Sequence, residues 1–163
     1  MHSVEGGAYS EIPLLDHFAA LCEKIASMYI NGEVFCRLFS TTGQTFTETA
    51  SIRADHDIIS NFINWLSTQY PSVVSDAAEF DYVVEGGFEC EGFLTHVLVD
   101  GGMYIKGIDV SSAREGARTA FESLFGEDLR RARCFKCVSP HWTWFNGAGY
   151  DFAVFIFDET VHR

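Results

Sequence analysis

The segment Tyr150-Asp151-Phe152-Ala153-Val154-Phe155-Ile156-Phe157 constrains the fold more than any other. Successive side chains of a strand point to opposite faces, and here both alternating sets are apolar. Such a strand has to be covered on both sides, which places it centrally in a sheet sandwiched by other elements. The run is far shorter than the ~18 apolar residues that would span a bilayer. At 163 residues, 47% of them apolar, the chain has the size of one domain and the material for a packed core. Fifteen Phe, six Tyr and three Trp make that core aromatic.

Hydrophobic periodicity orders the remaining elements. Ser10 reads as an N-cap with Pro13 in the first turn. Leu14, Leu15, Phe18, Leu21, Cys22, Ile25, Met28 and Tyr29 then recur at helical spacing until Asn31-Gly32. Val34–Phe39 and Thr45–Ile52 read as strands of a hairpin around Thr41–Gln44. Asp55 caps a second helix with Ile58, Ile59, Phe62, Ile63, Trp65, Leu66 and Tyr70 on one face, closed by Pro71. Phe80–Glu85 reads as a strand ended by Gly86-Gly87. Phe93–Val99 and Met103–Val110 read as a hairpin around Asp100-Gly101-Gly102. Ser112 and Glu115 have capping-box spacing and open a third helix that ends at Gly126. Strands over 134–145 and 150–157 close the chain.

The order predicts an α+β fold. It is a single domain over 10–163, with a mostly antiparallel sheet of five to seven strands and about three packed helices, behind a flexible leader at 1–9. The opening residues lack the basic and apolar regions of a signal peptide, which predicts a cytoplasmic chain that does not enter membranes.

Charge is distributed unevenly. The formal net charge of −12 resides in residues 1–105, where fifteen acids face three bases, while 106–163 balance. From Ala54 to Ile105 there is no Lys or Arg. A surface of one sign attracts basic partners and repels a phosphate backbone, so direct nucleic-acid binding is disfavoured. Asp76, Glu79, Asp81, Glu85, Glu89, Glu91 and Asp100 are the candidate partner-binding residues. The basic cluster Arg130, Arg131, Arg133 and Lys136 is expected to pair with acids of the same domain or to guard a strand edge.

Chemical motifs are sparse. Cys134-Phe135-Lys136-Cys137 is a lone C-x-x-C with His141 four residues on. On a strand its two thiols face opposite sides, which argues against chelation, and one thiol is expected buried and one exposed. Five cysteines with irregular spacing are read as reduced thiols, with Cys22 and Cys36 in the core. His96 would need an oriented carboxylate to act as a base, with Glu79, Asp81 and Glu85 as the neighbours considered. The acids at 76, 79 and 81 lack the pattern of an EF-hand. No phosphate loop, nucleophile elbow or zinc-protease motif is present, so no catalytic residue, metal or cofactor is assigned. Trp142 and Trp144 share a strand face and, if exposed, would form a sticky patch.

No motif is specific enough to name a family. The reading that follows is an acidic, non-catalytic protein-binding domain of the inhibitor or immunity type, neutralising a basic partner such as a toxin or a nucleic-acid enzyme. Two alternatives stand beside it. One is a small-ligand-binding or catalytic domain with an aromatic pocket near His96 or His141. The other is a structural subunit that forms a homo-oligomer.

Overall fold

The doubly apolar strand does lie between two layers. The computed structural model describes residues 8–29, 34–42, 52–74, 81–102, 105–138 and 152–158. Among them are strand β1 (Ala8–Ile12), helix α1 (Asp16–Ala26), β2 (Leu38–Thr42) and α2 (Ile52–Gln69). There follow β3 (Val83–Gly86), α3 (Gly87–Asp100), α4 (Val110–Phe125), a 3-10 turn (Leu129–Arg131), β4 (Ala132–Val138) and β5 (Phe152–Asp158). The class is α+β, as expected, but the strands form two small antiparallel sheets, β1-β2 and β3-β4-β5.

The three-stranded sheet separates two cores. On one face α1, α3 and α4 bury Phe18, Leu21, Cys90, Leu94, Leu98, Ala113, Ala117, Ala120 and Phe121 against Ala132 and Cys134 of β4. On the other, Ile59, Phe62, Ile63 and Leu66 of α2 meet Phe135 and Cys137, and Tyr9 and Phe39 of the two-stranded sheet pack beside them. Within β5, Phe152, Val154 and Ile156 serve the first core, and Ala153, Phe155 and Phe157 the second. Two-sided cover is therefore found, but β4, not β5, is the central strand among the described residues.

The largest departure is at 87–100. The alternation of Leu94, His96 and Leu98 suggested a hairpin strand, yet the segment is helical. Its buried positions are Gly87, Cys90, Glu91, Leu94 and Leu98, the spacing of one helix face. Gly101, at a positive φ of 67°, ends the helix with its N–H on the Val97 carbonyl. Only the bridge Gly101–Lys106 remains of the expected hairpin among the described residues.

Four boundaries move. α2 begins at Ile52, which the sequence placed at the end of a strand, so Asp55 lies in its first turn rather than at its cap. β1 begins at Ala8 and takes in Ser10, so Leu15 becomes the N-cap of α1 and Ser10 caps nothing there. β2 pairs with β1, from Ala8 opposite Thr42 to Ile12 opposite Leu38; residues 45–51 lie outside the described residues. α4 is capped by Asp109, which accepts the Ser112 N–H at 3.0 Å, so Ser112 is inside the helix rather than its cap. No helix among the described residues is long and apolar enough to cross a membrane.

Candidate partner-binding surface

Helical geometry sorts the acids of 81–100 into different surroundings. On α3, residues 89, 92, 96 and 100 follow one another at intervals of three or four, so they share a stripe opposite the buried one. Glu89, His96 and Asp100 are all exposed on it. Glu89 sits in the first turn, where the helix dipole favours an anion. Asp100 sits at the opposite end, where the dipole disfavours it, and His96 Nε2 lies 3.1 Å from its Oδ2. Asp100, rather than the acids considered from sequence, is thus the carboxylate beside His96. The pair is open to water, with 68% and 56% of its side chains exposed, which makes it a weak surface contact.

Two candidates lie away from any open face. Glu91 is buried and binds Arg118, 3.1 Å from Nη1, while the Arg118 Nε donates to Glu122 at 2.6 Å. Glu85 pairs with Lys136 across β3 and β4, and both side chains are only 17% exposed. The Lys136 ammonium also stands 4.6 Å above the Phe93 ring. These acids are fixed by internal cations because a buried carboxylate without a partner would be strongly destabilising.

Asp81 is exposed just before β3. Burial of the Tyr82 hydroxyl, with Asp55 and Asp57 of α2 nearby, raises its pKa above the ordinary tyrosine value. Burial raises the Cys137 thiol, and Asp81 adds to the shift. Asp76 and Glu79 lie outside the described residues, as do His141, Trp142 and Trp144.

Each base of the cluster has an acidic partner in the same chain. Arg130 pairs with Asp128 at 2.8 Å, Arg131 with Asp158, Arg133 with Asp55, and Lys136 with Glu85. Sequence reasoning anticipated such pairing but could not assign the partners. Cys134 and Cys137 do point to opposite faces of β4; both are buried, each in a different core, so neither is the exposed thiol expected.

A groove of about 330 Å³ lies between α1 and α4, with His17, Lys24, Ser112 and Glu115 around apolar Leu21 and Leu98. Sequence reasoning missed it because its polar residues come from two helices remote in sequence. It holds neither His96 nor a Phe, Tyr or Trp side chain. No protein-family model, no curated protein and no solved structure matches the chain.

Proposed function

We propose that this chain is an acidic, non-catalytic protein-binding domain of the inhibitor or immunity type, acting in the cytoplasm on a basic partner such as a toxin or nucleic-acid enzyme. One observation carries the reading. Arg130, Arg131, Arg133 and Lys136 are all engaged by acids of the same chain, while Asp81 and Glu89 face solvent with no ion pair among the described residues. These two acids add uncompensated negative charge to the surface of a chain whose formal net charge is −12. An anionic surface steers a basic partner and speeds its association. Facing a nucleic-acid enzyme, it would occupy the cleft that otherwise receives phosphate.

The test begins with affinity capture from the native host and identification of the bound protein. The expected partner is basic, and its association rate should fall steeply between low and physiological salt. Reversing Asp81, Glu89 and Asp100 to Lys should slow association, whereas Ser at Cys134 and Cys137 should not. An acidic partner, or charge-reversed protein that binds at an unchanged rate, would overturn the reading. So would turnover of a small substrate that is lost when His96 or His141 is replaced.

The groove between α1 and α4 supports a second reading, binding of a small molecule carrying both charge signs beside Lys24 and Glu115. Thermal stabilisation by a zwitterionic compound, abolished in Lys24→Ala, would favour it over protein binding.

A further inference from the structure

Residues 83–88 hold three of the seven large apolar side chains that are exposed among the described residues: Val83, Val84 and Phe88. Two of these are neighbours on β3, and neighbours on a strand point to opposite faces. Val83 is 59% exposed and Val84 41%, so water reaches both faces of this strand. β3 pairs with β4 on one side, from Val83 opposite Lys136 to Gly86 opposite Arg133, and among the described residues no strand lies on the other. Every second residue of β3 turns its N–H and C=O away from β4. Edge strands are commonly guarded by a lysine, a proline or a bulge. Val83-Val84-Glu85-Gly86 contains neither lysine nor proline, and its one charge, Glu85, is engaged by Lys136.

Acids bracket this edge. Asp81, two residues before β3, is exposed. At the other end the Glu89 carboxylate folds back over the last residue of the strand: a Cβ on Gly86 would lie 2.8 Å from Glu89 Oε2. No base from the same stretch offsets them, because 54–105 contain no Lys or Arg. The bases opposite β3 are occupied, Lys136 by Glu85 and Arg133 by Asp55. Arg118, whose guanidinium stands 5.8 Å from the Phe88 ring, is held by Glu91 and Glu122. A segment that fits this edge is thus apolar in its middle and basic at both ends. A second copy of the chain does not fit. Antiparallel pairing of β3 with its own copy over 83–86 would set Asp81 of each chain opposite residue 88 of the other, next to Glu89, acid against acid.

We infer that β3 is the docking edge for the basic partner, which adds an extended segment to the sheet as a strand, its apolar residues on Val83 and Val84 and its Lys or Arg side chains at Asp81 and Glu89. This docking mode rests on the reading of the chain as a binder of a basic protein, and adds the form in which that protein binds. Main-chain hydrogen bonds to the outward N–H and C=O groups of β3 hold the segment, and its alternate side chains meet the two faces of the sheet. From residue 81 to residue 86 the strand advances five steps, so the two bases stand about five residues apart in the segment. With four residues in β3 the ladder is short, and the flanking charges set both the choice of segment and the rate of its arrival.

The test selects short random peptides, displayed on phage, against the folded full-length chain. Selected peptides should carry Lys or Arg on both sides of a β-branched or aromatic centre. Their binding should shift the amide resonances of 81–89 and leave those of α1 and α4 unmoved. N-methylation of alternate backbone amides in a selected peptide should weaken binding about tenfold or more in one frame and little in the other, since only one set of amides faces β3. These methylated peptides probe the edge without altering the chain. Asp81→Lys combined with Glu89→Lys should weaken binding by a similar factor and remove most of its salt dependence. Basic peptides that bind equally in both methylated frames, or that shift α1 and α4 instead, would overturn docking at β3 and leave the basic-partner reading standing. Acidic or uncharged peptides that pair with β3 in one frame would overturn both. A library that yields no peptide at this edge would overturn the inference, as would a dimer in sedimentation that Val84→Lys dissolves.

Discussion

The two faces of the three-stranded sheet are packed by different means. Toward α1, α3 and α4 small residues are set among the large ones: Ala113, Ala117, Ala120 and Ala132 have 3% exposure or less, and Cys90 and Cys134 none, beside Phe18, Leu98 and Phe121. Toward α2 they are made by rings. Phe62 alone meets Tyr9, Phe39, Trp65, Phe155 and Phe157 at centroid distances of 5.0 to 5.8 Å, four of the five edge-on. Alanine at one helix interface lets the helices and the sheet approach closely, so that face has no room to give. Rings span a wider gap, and their edge-to-face geometry holds them at several angles at once. The first face is therefore sensitive to added volume and the second to removed volume.

The sharpest way to break this contrast is Phe62→Ala. It should cost about 3–5 kcal/mol, the range for deleting a buried ring, measured as a shift of the urea midpoint at unchanged slope. A loss near 1 kcal/mol would show that the aromatic face can collapse onto the gap. The same range applies to breaking the ion pair at the sheet's edge. Lys136→Met leaves the Glu85 carboxylate, 17% exposed, without its cation and should cost about 3–5 kcal/mol. Adding Glu85→Leu should recover most of that loss; if the double variant is no better, the pair contributes little. Next comes overpacking. Ala117→Leu on the helical face should cost about 1–3 kcal/mol, since Ala117 has no exposed surface to yield into. Ala153→Val, on the half-buried aromatic side of β5, should cost less; equal losses would abolish the distinction.

The smallest effect belongs to the cap of α4. Asp109→Ala should destabilise more than Ser112→Ala, because Asp109 accepts the N–H and Ser112 only assists. The Ser112 hydroxyl, then its backbone N–H, hold the Asp109 carboxyl below the usual range. A carboxyl lowered in the folded state contributes its stability fully above its unfolded pKa, about 4, and loses it as pH falls through the folded value. The gap between wild type and Asp109→Ala should thus be constant near neutrality and close in acid. Urea titrations at several pH values check it, and a gap that widens in acid would contradict the cap.

Legibility in the sequence followed the length of each pattern. α2 could be read because Ile59, Phe62, Ile63 and Leu66 repeat at helical spacing ahead of Pro71. α3 could not be read, because Phe93 to Val99 offers an alternation as good as its helical spacing. Phe93, Thr95, Val97 and Val99 also favour a strand. The helical set becomes visible only when Gly87, Cys90 and Glu91 are included, and Gly87 is chosen by the close approach of Leu129 and Ala132, far along the chain. The start of α4 was misplaced because Ser112 and Glu115 have capping-box spacing, while Asp109 fell inside an expected strand. β1 was hidden for another reason: its partner β2 lies some thirty residues away, and pairing at that range leaves no local mark. For the candidate surface, the excess of negative charge was plain from composition. Which acids face solvent and which serve Arg118 or Lys136 depended on helix rotation and strand register, so Glu85 and Glu91 could not be told from Glu89.

β4 belongs to both cores and is hydrogen-bonded to a strand on either side. Its amides at Cys134 and Phe135, residues with no exposed surface, reach solvent deuterium only if both neighbouring strands and both hydrophobic layers let go. Neither layer has a floor of its own without this strand. The slowest-exchanging amides should therefore cluster in β4, and their protection should equal the free energy of global unfolding rather than that of a local opening.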